Sequence, residues 1–174
     1  PRRQKLCLYY IAHESQTGNI ITDDDLRKAF IKTAAAETFL SWSYYKSKDG
    51  EGNELDKELK EGKIPPAFLR SMYYTYGDYR DICKDTDIFC KTAGSDITFF
   101  SKRDGKSPSG KTPKDWWEKH GPDIWKGMLC SLEKASGADK ETLTKTYPYN
   151  NVTFDNPSGT KLTDFVTRPQ FLRW

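Results

Sequence analysis

The chain has 174 residues, enough for one domain with a sizeable core. With 36% hydrophobic and 14% aromatic residues and a mean hydropathy of −0.83, that core is built from rings more than aliphatics, under a very polar surface. The net charge of +3, from 28 basic against 25 acidic residues, excludes a polybasic nucleic-acid-binding tail and leaves only local patches, and no run approaches the roughly 18 apolar residues of a membrane span.

Pro1 to Ala12 pairs a basic start with Leu6-Cys7-Leu8-Tyr9-Tyr10-Ile11, apolar enough for a buried strand or a helical turn. His13 to Ile21 reads as a loop. Thr22 followed by Asp23, Asp24 and Asp25 is a strong helix start, a cap with three acids at the positive end of the dipole. The period Leu26, Phe30, Thr33, Glu37, Leu40, Tyr44 predicts a helix to about Lys46. Glu37 on that line is expected to pair with an arginine such as Arg80, since no second carboxylate or histidine accompanies it as a catalytic acid. Ser47 to Lys63 is a solvated loop with a turn of helix at Leu55–Leu59. Pro65-Pro66 opens a second helix, Ala67 to about Lys84, with the stripe Phe68, Met72, Tyr76, Tyr79 and Cys83. Gly77 within it costs on the order of 1 kcal/mol against Ala, so it is expected to admit a neighbouring ring or backbone.

Asp85 to Phe100 is irregular and contains Cys90. Ser101 to Lys114 is the most basic stretch, with Lys102, Arg103, Lys106, Lys111 and Lys114 against Asp104. Gly105-x4-Gly110-Lys111-Thr112 matches the phosphate-binding P-loop pattern, but no hydrophobic strand precedes it and prolines stand inside and directly after it, so a P-loop is rejected. Thr112 to Cys130 packs three of the five tryptophans into nineteen residues. Thr112 suits an N-cap and Pro113 the first turn. Trp117, Ile124, Met128 and Leu132 fall on one helical face with Trp125 and Leu129 beside them, and Gly121-Pro122 predicts a kink or two abutting helices. Ser136-Gly137 ends the run. A short helix over Ala138–Lys145, an extended Tyr147–Phe154, a turn at Asn156–Gly159, a helical turn at Leu162–Val166 and a helix opening at Pro169 follow. Asn151-Val152-Thr153 is a glycosylation sequon. Starting without Met and stopping on a helix opening, the chain reads as a piece of a longer polypeptide.

The four cysteines, Cys7, Cys83, Cys90 and Cys130, show no paired spacing, and the only histidines are His13 and His120. No metal site and no cofactor is expected. Structural disulfides in an exported protein and buried thiols in a cytosolic one both remain open. Neither histidine has a nucleophile or carboxylate set beside it, so the chain does not read as an enzyme.

Pro1-Arg2-Arg3-Gln4-x-Leu6-Cys7, Gly77-Asp78-Tyr79-Arg80-Asp81-Ile82, Trp116-Trp117 followed by Ile124-Trp125-Lys126-x-Met128-x-Cys130, and Pro169-Gln170-Phe171-Leu172-Arg173-Trp174 occur in one order across the whole chain. Together they resemble the Duffy-binding-like (DBL) domains of Plasmodium adhesins. Ala29 to Trp42 and Phe68-Leu69-Arg70-Ser71-Met72 are similar to the epsilon-type domains of the variant erythrocyte membrane proteins, including the placental, chondroitin-sulfate-binding member.

The resemblance implies an all-α, disulfide-bonded helical bundle with long irregular loops. Residues 1–20 would be the end of the first DBL subdomain and 21–174 the second, cut before a third. It implies a Cys83–Cys130 disulfide; Cys90 departs from the family pattern and leaves Cys7–Cys90 as an alternative pairing or Cys90 as a free thiol. It implies an adhesin segment on the extracellular face of the infected erythrocyte, part of a larger membrane-anchored protein, with no direct membrane contact and no nucleic-acid partner. The partners would be a host cell-surface receptor and neighbouring DBL domains of the same chain. A sulfated glycosaminoglycan such as chondroitin sulfate would be held by Lys102, Arg103, Lys106, Lys111 and Lys114, extended by Lys46 and Lys48. The alternatives are a host-protein-binding module, for immunoglobulin M or an endothelial receptor, with Tyr9, Tyr45, Tyr74, Tyr147 and Tyr149 as contact candidates, or a spacer between DBL domains.

Overall fold

The structure, a computed structural model, describes residues 6–49, 52–84, 86, 106–153 and 159–173. Among them there is no strand, only an isolated antiparallel bridge between Thr153 and Lys161, so the fold is all-α. Three long helices carry the core: α3 (Asp23–Asp49), α5 (Pro66–Cys83) and α6 (Pro113–Ser136). Shorter pieces cover them: α1 (Tyr9–Ala12), α2 (Glu14–Thr17), α4 (Gly52–Lys60), α7 (Thr142–Thr146), α8 (Leu162–Thr167) and a 3-10 turn (Gln170–Leu172).

α3 starts where the cap predicts. The Asp25 amide donates to Thr22 Oγ1 at 3.2 Å, and the Thr22 amide donates back to Asp25 Oδ2 at 2.9 Å, a reciprocal capping box. Its buried line differs from the expected one. Leu26, Phe30, Ala34, Thr38 and Trp42 face inward, while Leu40 and Tyr44 are 59% and 63% exposed. A four-residue step advances about 40° beyond a full turn, so this line winds round the helix. The winding follows a change of neighbour. The first half of α3 lies on α6, through Arg27–Asp123 at 3.1 Å. The second half turns to α4 and α5, where Trp42 sits on Phe68 with ring centroids 4.9 Å apart and donates its indole N–H to Asp56 at 3.0 Å.

α3 and α6 run in the same direction. Arg27 meets Asp123, and one turn on an added Cβ at Gly127 would stand 2.7 Å from Ile31 Cγ2, so the helices touch where α6 has no side chain. α5 runs antiparallel to both: Phe68 faces Trp42 and Tyr79 reaches the Thr33 carbonyl, while Tyr73 packs on Trp125 and Cys83 lies at Pro113.

α6 bears out the cap and stripe. The Asp115 amide donates to Thr112 Oγ1 at 3.2 Å, Pro113 holds the first turn, and Gly137 at φ +71° closes the end. Trp117, Ile124, Trp125, Met128, Leu129 and Leu132 are all buried, with Trp116. Gly121-Pro122 does not split the run. The missing Pro122 N–H leaves only the carbonyl of exposed Glu118 without its donor, while large side chains on both sides of the pair are seated in one core. Gly121 is required by space: an added Cβ would lie 2.6 Å from Tyr76 Oη and 3.0 Å from Trp117 Nε1. Gly121→Ala is therefore expected to lower stability by about 1–3 kcal/mol through overpacking, read as a lower denaturant midpoint at unchanged slope. A midpoint equal to that of the native chain would refute this close approach.

Several local expectations are corrected. Of the two readings of Leu6–Ile11 the helical turn holds, as α1 over Tyr9–Ala12, while the 13–21 loop contains α2, whose first turn is capped by His13 Nδ1 accepting the Ser15 amide at 3.2 Å. Glu37 does not meet Arg80. Its Oε2 accepts the Cys7 amide at 3.0 Å, and Arg80 donates to the Val166 carbonyl at 2.7 Å. The stretch after Tyr147 is a turn rather than extended, with the Asn151 and Val152 amides both on the Pro148 carbonyl. All of the Asp85–Phe100 expectation but Thr86, and most of the Asn156–Gly159 turn, lie outside the described residues.

The neighbour that Gly77 admits is a guanidinium: an added Cβ would stand 3.2 Å from Arg173 Cζ. Arg173 is buried and pairs with Asp81 and, at 4.0 Å, with Asp78. It also donates to the Arg168 carbonyl at 3.0 Å, while Gln170 donates to Asp78 at 3.4 Å. Burial pushes the Asp81 carboxyl above its usual range, against the opposing pull of Arg173. The Gly77–Ile82 and Pro169–Arg173 motifs are thus two halves of one buried ionic clasp.

Candidate functional site

The basic stretch enters the described structure at Lys106. Ser107 to Gly110 make a turn, closed by the Gly110 amide on the Ser107 carbonyl at 2.9 Å, with Gly110 at φ +81°. The turn straps across the start of α3: the Ser109 amide donates to Asp23 Oδ1 at 3.1 Å, the Ser109 hydroxyl also bonds Asp23, and Lys111 Nζ lies 3.6 Å from Asp23. Burial opposes ionisation of Asp23, but the Ser109 and Ser107 hydroxyls, the Ser109 amide and the Lys111 charge hold its carboxyl below the usual range. Lys111 and Thr112, the residues that would define a P-loop, are therefore an ion pair to α3 and the cap of α6.

Past the strap, Lys114 comes to the corner where α5 ends and α6 begins, and Lys106 stands just before the strap. Lys106 is exposed, and exposed Lys114 makes only a loose 3.9 Å contact with Glu118. The corner gains a cation that sequence reading missed. Lys84 directly follows Cys83, whose thiol rests 3.8 Å from the Pro113 carbonyl. Partial burial, then repulsion from Arg80 and Lys114, pull the Lys84 ammonium below its usual pKa. Among the described residues no carboxylate forms an ion pair with Lys84 or Lys106. A lysine one step past an apolar stripe gave no signal in sequence, because its partners lie about 30 positions further along the chain.

Lys46 and Lys48 do not extend this corner. Asp23 marks the strap, and Lys46 lies 23 residues further along α3, about 35 Å away at the helical rise. Lys46 is bound to Asp56 at 2.7 Å, and Lys48 Nζ stands 4.7 Å over the Tyr44 ring. Lys102, Arg103 and Cys90 lie outside the described residues.

The expected Cys83–Cys130 pairing is not brought together. Cys83 is at Pro113, and Cys130 lies 17 residues down the same helix, about 25 Å away, far beyond the roughly 7 Å a disulfide spans between Cα atoms. Cys7, Cys83 and Cys130 are free thiols, and burial pushes the Cys83 thiol well above the ordinary range, so it is unreactive as a nucleophile.

Of the tyrosines expected to be exposed, only Tyr9 is, at 45%. Tyr45 stacks on Trp42 and Tyr74 is buried. The exposed apolar side chains on α3 are instead Phe39, Leu40 and Tyr44. His120 is buried against the Trp116 ring, and burial, with the Lys119 charge, lowers its pKa. Among the described residues no cluster of His, Cys, Asp and Glu could hold a metal, and no helix is long and apolar enough to cross a membrane.

No curated protein and no solved structure matches the chain. The family model of the Duffy binding domain matches residues 1–173, which takes in the Gly77–Ile82 motif, the tryptophan helix and the clasp described above. The chain therefore belongs to the Duffy binding domain family, a family of extracellular adhesion modules that engage host cell-surface receptors.

Proposed function

We propose that this domain attaches an infected erythrocyte to host cells by binding a sulfated glycosaminoglycan, of the chondroitin sulfate class, at the corner formed by Lys84 and Lys114, with exposed Lys106 before the strap adding to it. The observation that carries the reading is the convergence of Lys84 and Lys114, close enough for Lys114 to repel the Lys84 charge, with no carboxylate in an ion pair with Lys84 among the described residues. Such a corner attracts polyanions, and each sulfate that replaces a counterion makes the affinity fall with salt. Lys102 and Arg103, just upstream in sequence, would add to it. Lys111 is assigned to holding the strap on Asp23 rather than to the ligand. The resemblance of Ala29–Trp42 and Phe68–Met72 to epsilon-type domains supports the same ligand class.

The test is binding to immobilised chondroitin sulfate across a salt series, with a Lys84→Ser, Lys106→Ser, Lys114→Ser variant alongside. Among the described residues these side chains make no ion pair closer than the 3.9 Å Lys114–Glu118 contact, so the variant should melt as the native chain does. Its affinity is expected to drop at least about tenfold, roughly 1.4 kcal/mol, and its salt slope to flatten by up to about three. Equal binding by the two proteins, or no binding by the native chain, would sink the proposal.

A second reading, a host-protein contact, is favoured by exposed Phe39, Leu40 and Tyr44 on α3. An apolar contact there would be insensitive to salt and to the lysine variant.

A further inference from the structure

Of the two histidines, His13 is exposed in the cap of α2, while His120 lies in the interior at 7% exposure. The His120 ring lies on Trp116 with centroids 4.9 Å apart, and its Nε2 is buried with no hydrogen-bond partner. A neutral imidazole can leave that nitrogen bare. An imidazolium carries a proton on both nitrogens, so an Nε2–H would be buried without an acceptor. The charged groups that act on the ring come from two elements: Lys119 and Asp123 on α6, Asp23 and Arg27 on α3. Burial, Lys119 and Arg27 disfavour the charged ring, while Asp23 and, more weakly, Asp123 favour it, and the net effect holds His120 below its ordinary value. Asp123 is engaged by Arg27 at 3.1 Å. Asp23 holds the strap, accepting the Ser109 amide at 3.1 Å and facing Lys111 Nζ at 3.6 Å. The carboxylate that most favours an imidazolium is thus the anchor of the strap.

We propose that His120 is an acid-sensing switch for the strap: on protonation its ring draws the Asp23 carboxylate away from Ser109 and Lys111, and the turn from Ser107 to Lys111 comes off α3 while the bundle stays folded. The sign follows from burial. A histidine held below its ordinary value stabilises the closed strap fully above about pH 6.5 and progressively less as pH falls. Asp23 is held below the usual carboxylate range and stays ionised through this window. Of the charged groups at the junction, only the ring therefore changes charge between about pH 6.5 and 5. The turn lies between Lys106 and Lys114, so its release alters the spacing of those cations. The switch itself stands whatever the corner binds, and its readouts involve no ligand.

The experiment follows the His120 ring signal and amide hydrogen exchange by NMR from about pH 7.5 to 5, in the native chain and in His120→Gln and His120→Phe, whose side chains stay uncharged. His120→Gln keeps the comparison if the larger ring of His120→Phe overpacks the junction. The native ring is expected to titrate below about 6.5. Protection of the Ser107 and Ser109 amides, corrected for the intrinsic pH dependence of exchange, is expected to fall at least about threefold with the same midpoint. The Tyr76 amide, in the middle of α5, should keep its protection, and the strap amides of both variants should keep theirs. A ring that titrates at or above its ordinary value, a native strap whose protection stays flat, or a fall repeated in the variants would overturn the switch. A parallel fall at Tyr76 would overturn it too, by showing that the whole bundle opens and not the strap alone.

Discussion

Arg173→Met is expected to destabilise the domain by about 3–5 kcal/mol, because it strands two carboxylates in the interior. The Arg173 side chain has no exposed surface, and those of Asp78 and Asp81 are 2% and 5% exposed. Removing the guanidinium leaves their charges with Gln170, at 3.4 Å, and with Arg80, which is 3.8 Å from Asp81 and largely committed to the Val166 carbonyl. The pH dependence has a definite sign. A buried carboxyl without its partner has a folded pKa above its unfolded value, so the fold prefers it protonated. The deficit of the variant should therefore be full at neutral pH and shrink as pH falls toward the unfolded carboxylate range near 4. Adding Asp78→Asn and Asp81→Asn to Arg173→Met should recover much of the loss, since replacing a whole buried ionic cluster is far less costly than breaking it. Urea melts of the native chain, the single variant and the triple variant at pH 7 and pH 4.5 check this. A single variant as stable as the native chain, or a deficit that grows in acid, would show that the clasp does not hold the terminal segment.

Trp125→Ala should cost a similar amount, about 3–5 kcal/mol. The indole is 1% exposed and sits between α5 and the turn at Tyr147, edge-on to Tyr73 at 5.8 Å and Tyr76 at 5.9 Å between ring centroids. Its Nε1–H also satisfies the Tyr147 carbonyl. Truncation opens a cavity among rings that cannot collapse into it and leaves a polar group short of a donor. Trp125→Phe keeps most of the apolar volume and loses the hydrogen bond, so it should cost clearly less, about 1–3 kcal/mol. Equal losses for the two variants would mean that the hydrogen bond, not the ring volume, dominates at this position.

The helices were legible where the signal is local. Thr22 with Asp25, Thr112 with Pro113 and Gly137 are each decided within a turn of chain, and the structure places helix ends within a few residues of the expected ones. The buried line of α3 was legible only to Thr33, because periodicity assumes one neighbour and α3 has different neighbours along its length. The Arg173 clasp could not be read, since its partners are 92 residues apart and a charged residue near a chain end ordinarily predicts solvent. The cationic corner was half legible. Lys106 and Lys114 stand out in a charge run, but Lys84 joins them only through the antiparallel packing of α5 on α6. Lys46 and Lys48 looked like neighbours of that run because sequence carries no measure of the length of a helix in space.

The parallel α3–α6 seam has a consequence for how the chain assembles. Arg27 and Asp123, which tie it together, are 96 residues apart. Closing a loop of that length costs on the order of 4 kcal/mol in chain entropy before any contact at the seam can form. The α3–α5 contact Trp42–Phe68, by contrast, closes a much shorter loop and needs only the helices that leave the ribosome first. Contacts available early therefore set α3 against α5, and the tryptophan helix arrives later to complete a core that exposes Tyr73, Tyr76 and Phe30 until it does. A chain of this topology spends its slowest step with aromatic surface uncovered, which makes the order of helix docking a determinant of how much of it escapes aggregation.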